Sequence, residues 1–341
     1  MTQTLSSAPP TAHSGPTPVA PPSLSRTRRA LRLVAGLASV PYLSLKVAWI
    51  CGSRIGIPEG SPLLDHRALM AFANGLTVLM DATVLVLVLV LTRPWGLRAP
   101  AWLLAVPMWV ATGLLAPIMA GYPLQLALKA FGTGGEGPST GGADEPFLDD
   151  WVFGVVYCGF ILQGIALGSL FALYARDRWG HLWRGRIRDL APSAARGPRI
   201  AAVVAALLAL VPVTTHALWA AGSTAGLSPG RAEGRTADFH LLEALDVLYV
   251  VAAVAGALVL AFRRLPALPV KVPLALAWAG SGAVACWGGW LLLASLLGPA
   301  DDLADRPTTT MLLTYSVQMI IGLLVASAGV RFFRERAVSP R

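Results

Sequence analysis

The chain is poor in charge and poor in cysteine. Only 13% of its 341 residues are Asp, Glu, Lys or Arg, against 55% hydrophobic, and the mean hydropathy is +0.63. That is too little polar side chain to cover a water-soluble chain of this size. The three cysteines, Cys51, Cys158 and Cys286, lie at or within apolar stretches. Their odd number and the lack of CxxC spacing exclude a disulfide framework and leave them to be read as small buried hydrophobes.

What the chain has in abundance is long apolar runs. About 20 helical residues cross a hydrocarbon core of roughly 30 Å. Runs of that length fall at 31–51, 68–91, 101–121, 151–174, 200–221, 241–262, 273–297 and 310–330. They predict an all-α transmembrane protein of eight spans. The net charge of +9 does not read as nucleic-acid binding, because the cations are sorted by side. With the N-terminus inside, about 20 Lys and Arg face the cytoplasm and about six (Arg54, Arg67, Lys129, Arg231, Arg235, Arg306) face out, as the positive-inside rule requires. Both termini are therefore expected in the cytoplasm, in a multi-pass protein of the cytoplasmic membrane. Glu136, Asp144, Glu145, Asp149, Asp150, Asp301, Asp302 and Asp305 fall in the expected outer loops.

Residues 1–25 are rich in Pro, Ser and Thr, with no apolar core for a signal peptide, and predict a disordered cytoplasmic tail. The organisation that follows is a first four-helix unit over 26–175, a basic linker over 176–199, a second four-helix unit over 200–330 and a basic tail over 331–341. The outer loop 123–150 is Gly-rich and acidic. In the linker, Trp179, Leu182, Trp183, Ile187 and Leu190 recur at helical spacing between arginines. Two readings stand there: an amphipathic helix on the anionic inner leaflet, or a solvated positive loop.

The two units look duplicated. Trp49-x-x-Gly52-Ser53-x-x-Gly56 returns as Trp219-x-x-Gly222-Ser223-x-x-Gly226, each at the outer end of an apolar run. Lys46 then falls opposite His216. Tyr157, Gly164 and Ser169 fall opposite Tyr315, Gly322 and Ser327, Pro100 opposite Pro273, and Asp65 loosely opposite Asp238. Insertions confined to loops fit a true repeat. An even number of spans per unit makes it a parallel repeat about a pseudo-two-fold axis along the membrane normal. Small residues such as Gly164-x-x-x-Gly168 and Ser281-x-x-x-Ala285-x-x-x-Gly289 predict helix packing faces.

Ionisable groups within apolar spans are the default functional candidates. Lys46 and His216 lie a turn below the outer tryptophans, and Lys46 can snorkel outward. His240, Glu243 and Asp246 recur every three residues in the outer half of the sixth span. Asn74, Tyr157 and Tyr315 are polar enough to join them. Asp81 stands alone deeper in the second span and is the best candidate for a proton or cation step, since an unpaired carboxylate there must be protonated or paired. Three readings compete: a proton-coupled or ionic solute site, a metal or catalytic site built on His216, His240, Glu243 and Asp246, and a structural cluster with Lys46 and Asp246 paired. Pro107, Pro117 and Pro123 in and after the third span, with Gly280, Gly282, Gly288 and Gly289 in the seventh, mark where irregular helices would fall, but such residues are ordinary in membrane helices and that reading is favoured.

No complete catalytic signature is present. The first half carries no histidine inside a span, so the paired axial ligands of a haem A synthase arrangement are missing. The Asp-rich pairs of membrane prenyltransferases and the Walker, Rossmann and GxSxG motifs are absent as well, and no cofactor is expected. The runs Pro41-Tyr-Leu-Ser-Leu-Lys46-Val-Ala-Trp49 and Trp109-Val-Ala-Thr-Gly113-Leu-Leu-Ala-Pro117 resemble uncharacterised multi-spanning proteins of high-GC bacterial genomes. The resemblance implies membrane location and no activity. The sequence thus favours transport of a small solute or ion between the two units. Its rivals are a membrane-embedded enzyme with an outward-facing His/Glu site, and a non-catalytic membrane subunit. The expected partners are the bilayer, through the Arg176–Arg199 loop, and another membrane protein or a second copy, with no nucleic acid.

Overall fold

The computed structural model describes residues 25–59, 61, 67–132, 148–190, 196–297 and 306–338. The tail over 1–24, most of the acidic loop before Asp150 and the acids Asp65, Asp301, Asp302 and Asp305 lie outside them. The helices are α1 (Arg26–Ile50), α2 (Arg67–Thr92), α3 (Ala101–Ala130), α4 (Asp150–Trp179), α5 (Gly197–Leu208), α6 (Leu210–Ala220), the short α7 (Pro229–Glu233), α8 (Ala237–Phe262), α9 (Lys271–Leu297) and α10 (Thr309–Val338). With α5 and α6 taken as one span, eight helices are long and apolar enough to cross a membrane. Their outer faces carry exposed apolar side chains such as Leu37, Leu79, Trp102, Leu207 and Leu248, the surface a bilayer would cover. Cys51 and Cys158 are exposed on the protein surface as well, and Cys286 is half-buried.

Local chemistry sets the helix ends. Ser25 Oγ accepts the Arg28 amide at the start of α1, and Thr236 Oγ1 accepts the Phe239 amide at the start of α8, each satisfying an amide with no partner inside the helix. At the other end of α8, Arg263 takes the left-handed conformation (φ 53°), which stops the helix. The prolines of the third span and the glycines of the seventh behave as ordinary membrane-helix residues, with α3 and α9 each continuous. Pro107, Pro117 and Pro123 all lie within an α3 that runs nine residues past its expected end at Gly121. The interruption falls in the fifth span, at Ala209 between α5 and α6. Pro212 has no N–H to donate to Leu208, while the flanking bonds from Ala209 to Ala205 and from Val213 to Ala209 persist.

The helices form two cores. One gathers Ala35, Leu87, Leu91, Leu104, Met108, Leu167 and Leu170 from α1 to α4. The other gathers Ala202, Val250, Leu260, Val284, Ile321 and Val325 from α5 and α8 to α10. They meet along α3 and α9. A Cβ on Gly113 would stand 2.3 Å from the Gly282 carbonyl oxygen, so only glycine lets the two backbones approach this closely. Three indoles cross the same seam: Trp109 donates to Ser281 Oγ (3.0 Å), Trp278 to Thr112 Oγ1 (3.2 Å) and Trp287 to the Leu114 carbonyl (3.2 Å). The glycines of the seventh span thus serve close packing. Gly164 presses on Met119 in the same way, while a Cβ on Gly168 would meet nothing within 4 Å.

At one end of the bundle the arginines are tied down. Arg28 bonds Asp177, and Arg178 bonds the Tyr174 hydroxyl and the Ala99 carbonyl. The linker between Trp179 and Gly197 is not one amphipathic helix. It holds two single 3-10 turns, at Gly180–Leu182 and Ile187–Asp189, and a bridge from Arg186 to Pro269. Ile187 and Leu190 enter the second core and Trp183 packs against it. This apolar face is therefore spent on the protein itself, while Arg184, Arg186 and Arg188 remain exposed.

Candidate functional site

At the opposite end, the two Trp-x-x-Gly-Ser-x-x-Gly segments fold into turns that agree bond for bond. Gly52 and Gly222 have φ of 92° and 96°, and Gly56 and Gly226 have 72° and 79°. Trp49 Nε1 donates to the Ile55 carbonyl at 2.7 Å, and Trp219 Nε1 donates to the Ala225 carbonyl at 2.9 Å. The amides of Gly52, Ser53 and Ile57 bond the carbonyls of Trp49, Ala48 and Arg54, as those of Gly222, Ser223 and Leu227 bond Trp219, Leu218 and Thr224. Left-handed φ values at these positions explain the glycines. The buried indole of each turn fixes the helix that carries Lys46 or His216 one turn earlier.

Below the first turn, Lys46 does not snorkel outward. Its Nζ bonds Asp81 Oδ2 at 3.0 Å, with both side chains under a tenth exposed, and it lies over the rings of Tyr42 and Phe160. Tyr42 Oη stands 3.0 Å from Asp81 Oδ1 and 2.9 Å from Gln163 Oε1. Gln163 Nε2 donates to Ser39 Oγ, which donates to the Ala35 carbonyl. Asp81 is thus neither alone nor unpaired, and Lys46 pairs with it rather than with Asp246. The cluster is electrically neutral, and none of its polar atoms lacks a partner.

Below the second turn the arrangement is open. His216 Nδ1 is in hydrogen-bond contact with Glu243 Oε2, and Asp246 Oδ2 lies 3.9 Å from the same nitrogen. Glu243 and Asp246 share a face of α8 because they stand three residues apart. Side-chain exposure rises from 2% at His216 through 10% at Glu243 to 30% at Asp246, so the group grades from a buried imidazole to an accessible carboxylate. His216 Nε2 is buried without a partner, as is the Oε1 of Gln318 on α10. Among the described residues the only cation paired with either acid is His216. Arg231 bonds the Tyr315 hydroxyl instead.

The sequence candidates therefore separate into two clusters in two different halves. His240 is not part of the second one, since its Nδ1 lies 3.0 Å from the Trp219 carbonyl. Asn74 bonds the Met70 carbonyl of its own helix, and Tyr157 stacks among Tyr122 and Phe153. Tyr42, Gln163, Gln318 and Arg231 were not foreseen. A lone Gln in each of two apolar spans was the one available signal for the amides. Asp238, at the start of α8, is buried with both oxygens unpartnered and lines a cavity of about 190 Å³ with Tyr122, Gln125, Lys129 and Asp150.

Comparison with family models, with curated proteins and with solved structures gives no match.

Proposed function

We propose that the chain is a cytoplasmic-membrane protein of two tandem four-helix units, duplicated in parallel with both termini inside. In this reading it moves an ion, or a small solute coupled to one, through a site in its second unit. The matched turns of Trp49 and Trp219 support the duplication, and the arginine-rich end supports the orientation. The carrying observation for the site is a buried His216 in contact with Glu243 and 3.9 Å from Asp246, two carboxylates that form no ion pair with a Lys or Arg among the described residues. Buried charge in a span is costly unless it is paired or working. The first cluster is paired, and the second holds one carboxylate more than its imidazole balances.

In this reading the pathway runs beside α6 and α8 rather than at the seam between units, where Gly113 and Gly282 press backbone on backbone. The enzyme reading loses support because His240 is held at the end of α6, away from the acids. Ion flux in proteoliposomes of the full chain tests the proposal. Flux is expected to fall at least tenfold in His216→Ala and Glu243→Gln. Equal flux in the wild type and both variants, or no flux above empty liposomes for protons and for monovalent and divalent cations, overturns it.

A further inference from the structure

We infer that His216, Glu243 and Asp246 bind a divalent transition-metal ion of the zinc class, an inference that names the ion of the site proposed above. One nitrogen and two carboxylate oxygens, one from each residue, lie within 4.8 Å of one another. Imidazole and carboxylate are the ligand types zinc takes, at bond lengths of about 2.0–2.2 Å. Small side-chain rotations suffice to bring donors so placed around one ion.

Charge argues the same way. A simple structural pair needs one carboxylate per cation, which is what Lys46 and Asp81 provide. Here a second carboxylate stands beside the first, with no Lys or Arg paired to either among the described residues. A neutral imidazole with two ionised carboxylates carries two negative charges, which Arg231 offsets only from a distance, forming no ion pair with either acid. The imidazole is oriented for it as well. Its Nδ1 faces the acids, and a lone pair there is repelled by carboxylate oxygens unless a proton or a metal lies between.

The remaining nitrogen, Nε2, is buried without a hydrogen-bond partner, and so is the amide oxygen of Gln318 on α10, a donor site and an acceptor each left unsatisfied. Metal-bound imidazoles characteristically donate their other N–H to such an outer acceptor. Gln318 is thus a positioning residue: it would hold the N–H on Nε2 and leave Nδ1 free for the ion.

The test uses full-length protein in detergent, stripped with a chelator and titrated with zinc chloride by calorimetry, with bound metal counted by elemental analysis. One zinc per chain is expected. Affinity should fall at least tenfold in His216→Ala and Asp246→Asn, and about 10- to 100-fold in Gln318→Leu. Asp81→Asn, checked for folding by its unfolding temperature, should bind as the wild type does. Cobalt(II) in place of zinc should give visible absorption bands that shift in Gln318→Leu, which a purely structural glutamine would not cause. Absence of stoichiometric zinc, or zinc retained in His216→Ala, overturns the metal site. If His216-dependent flux of another cation persists without zinc binding, the transport reading stands and this inference falls. If zinc binds but nothing crosses the membrane, the site stands and the transport reading falls.

Discussion

At the residue scale, two cations occupy matching places on helices of matching geometry and meet different fates. Lys46 finds one carboxylate, one tyrosine and two aromatic faces, a closed set that neutralises it. His216 finds two carboxylates and keeps a nitrogen unpartnered. Removing one member of a closed buried pair leaves an uncompensated charge, which costs about 3–5 kcal/mol, whereas replacing both members by apolar groups is often neutral. Asp81→Asn is therefore expected to lower the unfolding temperature markedly in detergent, and Lys46→Met with Asp81→Leu to recover most of it. If the single variant is as stable as wild type, the pair is not structural. In the sequence Asp81 looked isolated because its partner stands 35 residues earlier on another helix. Ionisable groups in apolar runs are conspicuous one at a time, but which of them meet depends on helix rotation, and that is set by packing contacts no local pattern reveals. The same blindness hid Gln163 and Gln318, whose uncharged amides are a weaker signal than a carboxylate.

At the element scale, the eight spans were legible because hydrocarbon thickness fixes their length, and their irregularities were not. Proline and glycine have two meanings in a membrane helix, a break or a close approach, and composition does not separate them. The three prolines of α3 lie in an unbroken helix, while Pro212 interrupts its span at Ala209. Gly282 lets α9 lie against Gly113 of α3. The close approach predicts that Gly113→Ala destabilises the protein. Its new methyl would meet the backbone carbonyl of Gly282 at 2.3 Å, an overlap that backbone must relieve, at a cost of about 1–3 kcal/mol. The unfolding temperature in detergent measures it. Gly168→Ala, which meets nothing within 4 Å, is the matched control and should leave the temperature unchanged. Loss in both variants, or in neither, would remove the seam as the cause.

At the scale of the whole molecule, the two ends differ in kind, and the difference sets which solution the candidate site faces. One end collects Arg28, Arg178, Arg199, Arg263 and Arg331, held to neighbouring helices by Asp177, by carbonyls and by close packing. The other holds the Trp49 and Trp219 turns, with Lys46 and His216 one turn below them. The translocation machinery retains basic segments on the cytoplasmic side, so the tryptophan turns should face outward and His216, one turn below the second of them, should lie nearer the outer solution. Cysteine labelling decides this directly. In a background with Cys51, Cys158 and Cys286 replaced by alanine, Ser223→Cys at the second turn should react with a membrane-impermeant maleimide in intact cells. Ser25→Cys, at the start of α1, should react only after permeabilisation. The reverse pattern would turn the molecule over. The site would then load from the cytoplasm, and the flux of the transport proposal would have to be measured as export instead of uptake.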